Sequence, residues 1–375
     1  MSKKNLLFIL PSLQGGGAEK VTLNIIKDLD KEKFNITLLL IKKEGVYWDL
    51  VPDHIKLISI LNQNDSITKN LYRIIKQVIK FSKDNDIIIG ALELTATYLA
   101  IIAGTLLNKP RVGWLHINLK EFPHAKKFSH KILIKLLYPL LNVVIAVSNG
   151  ARNSLIEISP SLEKKIVTVY NPLPMDVISK LADEDIDINF NINSSIPMIL
   201  GMGRLTYQKG FEYLITAHAN LIKNGYEHNL IILGEGEERS HLESLVKKLG
   251  VSNTVFLPGF QSNPYSWMKK ADLFVLSSRF EGFGMVLGEA MSLGVPVIST
   301  NCPSGPEELL NSGEYGILVP VEDSVNLSKA IENLFVKPKV MKDYSIKAKG
   351  RASEFSPLVI IPKIESIFNS LYKKK

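Results

Sequence analysis

Short aliphatic runs alternate along this chain with longer stretches whose apolar positions recur every three or four residues. Residues 6–10, 35–41, 86–90, 111–116 and 143–147 read as strands in the first half. Residues 166–169, 198–202, 229–233, 255–257, 273–276 and 295–299 continue the series. Helical stretches of about 10–16 residues lie between most of them. Strands separated by helices belong to parallel sheets, and strands this uniformly apolar are covered on both faces. The predicted fold class is α/β, with doubly wound sheets.

A length of 375 residues exceeds the roughly 150 of one domain. The seam is expected near Asn171-Pro172-Leu173-Pro174, a rigid turn, because each residue before a proline is pushed out of the helical region. An acidic, Asn-rich stretch follows at 183–195. Each half opens alike, with a strand, a glycine-containing loop and a helix: residues 11–17 lead into 18–29, and 201–210 into 211–222. The expectation is two Rossmann-like domains facing each other across a cleft. Residues 1–175 form the first, 176–195 a hinge, and 196–355 the second. A helix at 356–375 packs back toward the first domain.

Composition then narrows the class. With 46% hydrophobic and 22% charged residues, the chain is globular rather than disordered. Its one cysteine, Cys302, excludes an intramolecular disulfide and removes the reason to expect secretion. The apolar run after Lys4 is too short for a signal peptide, and Pro11 stops it. Residues 87–107 have the length of a bilayer span but read as a buried strand and a helix, with Glu93 between them. A cytoplasmic location is expected.

Charge is more informative by halves. Residues 1–175 hold 24 Lys+Arg against 14 Asp+Glu, whereas 176–375 hold 21 against 23. The net +8 therefore belongs to the first half and points to an anionic partner there. Lys69, Arg73, Lys76, Lys80 and Lys83 are spaced to share one helical face, with Leu71, Ile74, Ile75, Val78 and Ile79 on another. Residues 124–141 set Lys126, Lys127, Lys131 and Lys135 against Phe128, Ile132, Leu133, Leu136, Leu137 and Leu140, which would lie over a Rossmann core if the lysines are only a solvated face. A solvated face explains either stripe alone. Two of one sign favour an anionic membrane surface, and nucleic acid is disfavoured because no aromatics interleave with the charge.

Gly15-Gly16-Gly17-Ala18-Glu19 follows the first strand and opens a helix. Its glycines let backbone N–H groups approach an anion, although a tight turn explains the same residues. The dinucleotide fingerprint is not met, since its third glycine would fall at Lys20. From Gly203 to Gly210 a strand-to-helix loop carries Arg204 and Lys209, a planar fork and a point charge that suit a diphosphate, or two solvated charges. No Walker sequence accompanies it. Glu281-Gly282-Phe283-Gly284-Met285-Val286-Leu287-Gly288-Glu289 follows the strand at 273–276, and its turn offers backbone N–H groups at a helix start. Glu281 and Glu289 are read as acceptors for sugar and ribose hydroxyls, against plainer roles as a turn residue and a helix-surface charge. His116 ends its strand at the ligand-binding edge, where it meets a ligand or makes a structural hydrogen bond. Asp84-x-Asp86 and Asp185-x-Asp187 have the form of a metal–diphosphate site, but the first precedes its strand and the second lies in the acidic stretch. No metal site is expected.

In this order, the N-terminal glycines with Ala18-Glu19, Gly203-Arg204-Leu205 with Lys209-Gly210, Gly234-Glu235-Gly236, and two glutamates eight apart around Gly-Phe-Gly resemble glycosyltransferase family 4. The resemblance implies the GT-B fold, a nucleotide-diphosphate sugar as co-substrate with UDP as the expected nucleotide, retention of anomeric configuration, and no further cofactor. It implies that Arg204 and Lys209 hold the diphosphate, Glu281 the donor sugar and Glu289 the ribose. Gly15, Gly16, Gly17, Gly203, Gly234 and Gly282 would line the donor, and Phe283, Gly284, Met285 and Val286 would supply backbone donors. His116 would lie beside the reacting sugar and Phe260 against the base. Asn171-Pro172 stands where many members have Asn-Gly. The stretch from Cys302 to Glu308 is similar to members that build repeating-unit or lipid-linked oligosaccharides, so the implied acceptor is a membrane-linked or polysaccharide glycan. The alternatives are a sugar-nucleotide epimerase of the same fold and a non-catalytic glycan-binding subunit.

Overall fold

The computed structural model describes residues 3–185, 192–193 and 195–372. The chain forms two compact units, one of Met1–Pro172 with Pro357–Lys375 and the other of Leu173–Ser356. The first holds seven strands: β1 (Lys4–Leu10), β2 (Phe34–Lys43), β3 (Lys56–Asn62), β4 (Ile87–Gly90), β5 (Arg111–Leu115), β6 (Val143–Ala146) and β7 (Ile166–Thr168). They form one parallel sheet in the order β3-β2-β1-β4-β5-β6-β7. Residues 6–10 are wholly buried because both faces are covered. Leu7 and Ile9 join Ile74, Val78 and Ala100 on one side, and Phe8 meets Phe368 edge-to-face at 6.1 Å on the other.

The second unit repeats the plan with β8 (Met198–Met202), β9 (Asn229–Leu233), β10 (Val255–Gly259), β11 (Leu273–Leu276), β12 (Val297–Thr300) and β13 (Ile317–Val319). Its sheet is also parallel, in the order β10-β9-β8-β11-β12-β13. In each unit the strand order reverses beside the unit's first strand, between β1 and β4 and between β8 and β11. Loops leaving the carboxyl ends there diverge to opposite faces and open a crevice for ligand.

Several expectations need correction. The stretch expected to begin a hinge at 176 holds the helix Met175–Ala182, which buries Ile178 and Ala182. Asn263 donates to the Leu181 carbonyl at 2.8 Å, and Asp183 pairs with Lys269, so the chain passes between units at Pro172 and Leu173 instead. The return is at Ser356 and Pro357, after which helix Pro357–Leu371 completes the first unit. Its Glu365 accepts the Asp30 N–H at 3.0 Å and pairs with Lys33 at 3.0 Å. Two strands, β3 and β13, are absent from the sequence reading. Both are edge strands, one with only Ile60 and Leu61 buried and the other three residues long.

Of the two basic stripes, the first sits on helix Leu71–Ser82 and its flanks. Lys69, Arg73, Lys76, Lys80 and Lys83 are exposed while Ile74 and Val78 are buried. The second departs from expectation. Only Ile134 of helix Phe128–Leu137 is buried, and Phe128, Ile132, Leu133, Leu136 and Leu140 are exposed beside the lysines. Core contact is made instead by Ile134 and by Tyr138 in the following turn.

Candidate active site

At the crevice of the second unit, β8 ends at Met202 and the chain enters the loop carrying Gly203, Arg204 and Lys209. The neighbouring β9 loop laces onto it: Gly203 N–H donates to the Leu233 carbonyl at 3.0 Å and Leu205 N–H to Glu235 at 2.8 Å. Gly234 allows this approach, since a Cβ there would stand 1.9 Å from the Gly203 carbonyl oxygen. Gly210, in the left-handed region at φ +57°, brings the loop's end against β11, where a Cβ would meet the Ser277 carbonyl at 2.5 Å. Ser277 in turn donates its hydroxyl to the Lys209 carbonyl at 2.9 Å.

This clamp sets Lys209 against Glu281. Nζ lies 2.6 Å from Oε1, and the two side chains are 15% and 9% exposed. Ser278 donates to the same oxygen at 2.7 Å. The other carboxylate oxygen, Oε2, accepts no hydrogen bond among the described residues and remains available for a hydroxyl. Arg204, two residues after β8, is exposed and carries no ion pair among the described residues. A fixed ammonium and a free guanidinium thus occupy one loop, an arrangement suited to clamping phosphate oxygens.

After β11 the chain turns through Gly282 and Phe283. Gly284, at φ +85°, starts helix Met285–Ser292. Phe283 is buried and packs against Phe355 at 5.4 Å, which fixes the turn whose N–H groups head the helix. Glu289 is not a surface charge: it is 5% exposed and accepts the Tyr265 hydroxyl at 3.2 Å. Phe260, just past β10, is exposed.

Sequence reasoning passed over Arg279. Its guanidinium pairs with Glu212 at 2.6 Å and with Glu322, donates to the Tyr207 carbonyl at 2.6 Å, and lies over the Tyr207 ring at 3.8 Å. Burial opposes its charge, but the hydrogen bonds it donates to the two carboxylates outweigh that and raise its pKa. Arg279 ties the 207–210 loop to the β11 turn, so it positions Lys209 and Glu281. Nothing in its local pattern marks it; its partners are 67 and 43 residues away.

In the first unit, Gly15 has φ +104° and Gly16 caps helix Gly17–Asp28 without a side-chain cap. The Glu19 carboxylate bends back over this start, and a Cβ on Gly16 would lie 2.1 Å from its Oε2. His116 follows β5 rather than ending it, and its N–H donates to Glu93 Oε2 at 3.1 Å. Burial raises the Glu93 carboxyl to about 7 against the pull of that hydrogen bond. Burial also lowers His116 to about 4, so its ring is neutral at pH 7. Neither ring nitrogen of His116 nor Oδ1 of Asn171 makes a well-formed hydrogen bond among the described residues, although the Ala91 backbone lies near the His116 ring and opposes the effect of burial on it.

Asp86 accepts the Asn5 N–H at 2.8 Å at the amino edge of the sheet, opposite the crevice. Asp187 lies outside the described residues.

Comparison with known proteins agrees with this layout. Residues 15–177 match the family described as Glycosyltransferase Family 4, and residues 183–351 that described as Glycosyl transferases group 1. The N-acetylgalactosamine-N,N'-diacetylbacillosaminyl-diphospho-undecaprenol 4-alpha-N-acetylgalactosaminyltransferase of Campylobacter jejuni is 28% identical over 360 residues, covering 93% of this chain and 95% of that protein. An uncharacterized glycosyltransferase of Methanocaldococcus jannaschii is 31% identical over 281 residues, 67% of each chain. The crystal structure of Anabaena HepE in complex with UDP-glucose has the same fold, with a TM-score of 0.81 at 23% identity over 98% of this chain and 99% of that one. With two parallel Rossmann-like sheets and matches to both halves, the chain is a GT-B glycosyltransferase and belongs to glycosyltransferase family 4.

Proposed function

We propose that this glycosyltransferase moves a hexose or N-acetylhexosamine from a nucleotide-diphosphate sugar, with UDP as nucleotide, to a membrane-linked or polysaccharide acceptor in cell-surface glycan synthesis. The anomeric configuration is retained and no metal takes part. The observation that carries this reading is the Lys209–Glu281 pair, on the same loop as the exposed Arg204, at the crevice between β8 and β11. Relatives support it: the Campylobacter jejuni enzyme is named for a diphospho-undecaprenol substrate, a Staphylococcus aureus relative for capsular polysaccharide, and HepE was crystallised with UDP-glucose.

Cleavage of the sugar–phosphate bond places negative charge on the departing diphosphate. Lys209 keeps one N–H on Glu281 and has two left for phosphate oxygens, while Arg204 adds a bidentate fork. Lys209 is held in place before reaction, the condition under which electrostatic stabilisation is most effective. Glu281 Oε2 accepts a donor-sugar hydroxyl and the buried Glu289 a ribose hydroxyl. Amides of residues 282–286 face the phosphate, and Phe260 stacks on the base. His116, being neutral, offers a ring nitrogen to a hydroxyl rather than a charge. At the membrane, the exposed lysines of the first unit meet an anionic leaflet.

The direct test is incubation with a panel of nucleotide sugars, with and without lipid-linked acceptor, reading free nucleoside diphosphate. Acceptor-dependent release from a UDP-sugar is expected. Conversion of the donor with no acceptor present and no diphosphate released would instead indicate an epimerase.

A further inference from the structure

The loop that leaves the carboxyl end of β4 passes through Glu93 and then turns sharply into helix Thr95–Leu106. Leu94, at the turn, has φ +58°, a region that a branched side chain rarely adopts and that persists where its surroundings enforce it, above all at functional sites. Here it is enforced from several sides. The Leu94 N–H donates to the hydroxyl of the buried Tyr138 at 3.0 Å, and the Leu94 carbonyl accepts the Tyr98 N–H at 2.7 Å. Thr97 donates its hydroxyl to the Leu92 carbonyl at 2.8 Å. The turn sets Glu93 across the carboxyl ends of β4 and β5, where its Oε2 meets the His116 N–H. Among the described residues, the titratable groups facing this carboxyl are Glu19 from helix Gly17–Asp28, His116 after β5, and Tyr138. None is a counter-charge, since the His116 ring is neutral at pH 7 and Glu19 repels negative charge. A carboxyl only 8% exposed and without a cation is costly to keep. If its sole task were to accept the His116 amide, a glutamine would serve without that cost.

We propose that Glu93 is a specificity-determining residue for the acceptor, its carboxylate accepting hydrogen bonds from hydroxyls of a sugar ring bound in the crevice of the first unit. Hydroxyls bring neutral donors to it. Hydrogen bonds from O–H to an ionised carboxylate are among the strong ones, and they favour the charged form that burial disfavours. A phosphate does not fit, because Glu19 and Glu93 would both repel it. The group recognised is therefore the sugar of the glycan and not a diphosphate to which it is attached. The inference rests on the proposed glycan acceptor and adds which part of it the first unit reads, and through which side chain. It also ties recognition to a proton. A ligand that donates to the carboxylate binds the ionised fraction, which for a group titrating at about 7 rises from about 9% at pH 6 to about 91% at pH 8. Affinity for the sugar therefore increases about tenfold over that interval.

The test is titration of the full chain with the methyl glycosides of glucose, galactose, N-acetylglucosamine and N-acetylgalactosamine, each taken to its solubility limit, and with inorganic phosphate. The Glu93 carboxyl is followed by carbon NMR of protein labelled at glutamate and is assigned by its loss in Glu93→Gln. At least one glycoside is expected to move that resonance, to lower the midpoint at which it titrates, and to bind about tenfold more tightly at pH 8 than at pH 6. Glu93→Gln, which keeps an acceptor for the His116 N–H, is expected to bind the same glycoside at least about tenfold more weakly at pH 8, with no dependence on pH from 6 to 8. No response to any glycoside, binding by Glu93→Gln that is unchanged or still tightens with pH, or a stronger response to phosphate than to the glycosides would each overturn the proposal. Binding of UDP by the wild type is measured alongside. Its absence would overturn the proposed function without touching the glycoside result.

Discussion

The Lys209–Glu281 pair allows structure and catalysis to be separated. Replacing Lys209 alone by Met strands a carboxylate whose side chain is 9% exposed, with the Ser278 hydroxyl as its remaining side-chain donor among the described residues. Breaking a buried pair from one side costs about 3–5 kcal/mol, a large part of the roughly 5–15 kcal/mol that holds a typical domain together. The single variant would therefore lose activity for two reasons at once. Lys209→Met with Glu281→Gln removes both charges and keeps both shapes, and Ser278 can still donate to the glutamine oxygen. Stability is expected to return to within about 1 kcal/mol of wild type, because a neutral pair needs no counter-charge. Turnover is not expected to return. Loss of a preorganised charge-stabilising group costs about 100- to 1,000-fold, or about 2.7–4 kcal/mol. Urea unfolding followed by fluorescence gives the first quantity, and initial rates of diphosphate release give the second. A double variant that regains both stability and wild-type turnover would make the pair a structural strut and refute its role at the leaving group.

Four further outcomes are expected. Arg204→Ala, at an exposed position, should leave the urea midpoint unchanged and lower turnover by more than about tenfold; unaltered turnover would remove Arg204 from the phosphate clamp. Glu289→Gln should mainly raise the dissociation constant for the free nucleotide, because a ribose contact is made about equally in ground and transition states, whereas Glu281→Gln should mainly depress kcat; matching effects on kcat alone would contradict the two roles. Activity should persist in excess chelator, and a loss reversed by Mg²⁺ or Mn²⁺ would return a metal to the mechanism. Burial raises Glu93 from 4.5 to about 7, so between those values the folded chain keeps a proton that the unfolded chain has released. Its contribution is full below pH 4.5 and is lost as pH rises through about 7. Glu93→Gln keeps an acceptor for the His116 N–H and removes the charge, so its urea midpoint should gain on wild type from pH 5 to 8; parallel profiles would show that Glu93 is not held protonated.

Most of the strands were legible before the structure because a buried parallel strand announces itself locally. Residues 6–10 or 273–276 are unbroken apolar runs bounded by turn residues, and no distant information is needed to find them. The glycine and glutamate motifs were legible for the same reason, and they drew attention to Arg204, Lys209 and Glu281 in loops at the strand ends and to Glu289 in the helix that follows. Edge strands β3 and β13 were missed because one covered face, or three residues, leaves too little apolar signal. The hinge was drawn too far along the chain because a short helix with acidic residues beside it resembles a linker until its partners, Asn263 and Lys269, are seen.

The sequence by itself determined the alternation of strand and helix, the excess of positive charge in the first half, and which residue types reach the sheet edges. All of these follow from contacts or chemistry within a few residues. Tertiary structure alone decided that Lys209 meets Glu281 across 72 positions and that Arg279 braces their loops. It also decided that Glu93 is shut away from water and that the apolar row of helix Phe128–Leu137 is not. Burial and long-range charge pairing depend on what the rest of the chain brings to a given place, and the spacing of residues along one segment does not carry that information.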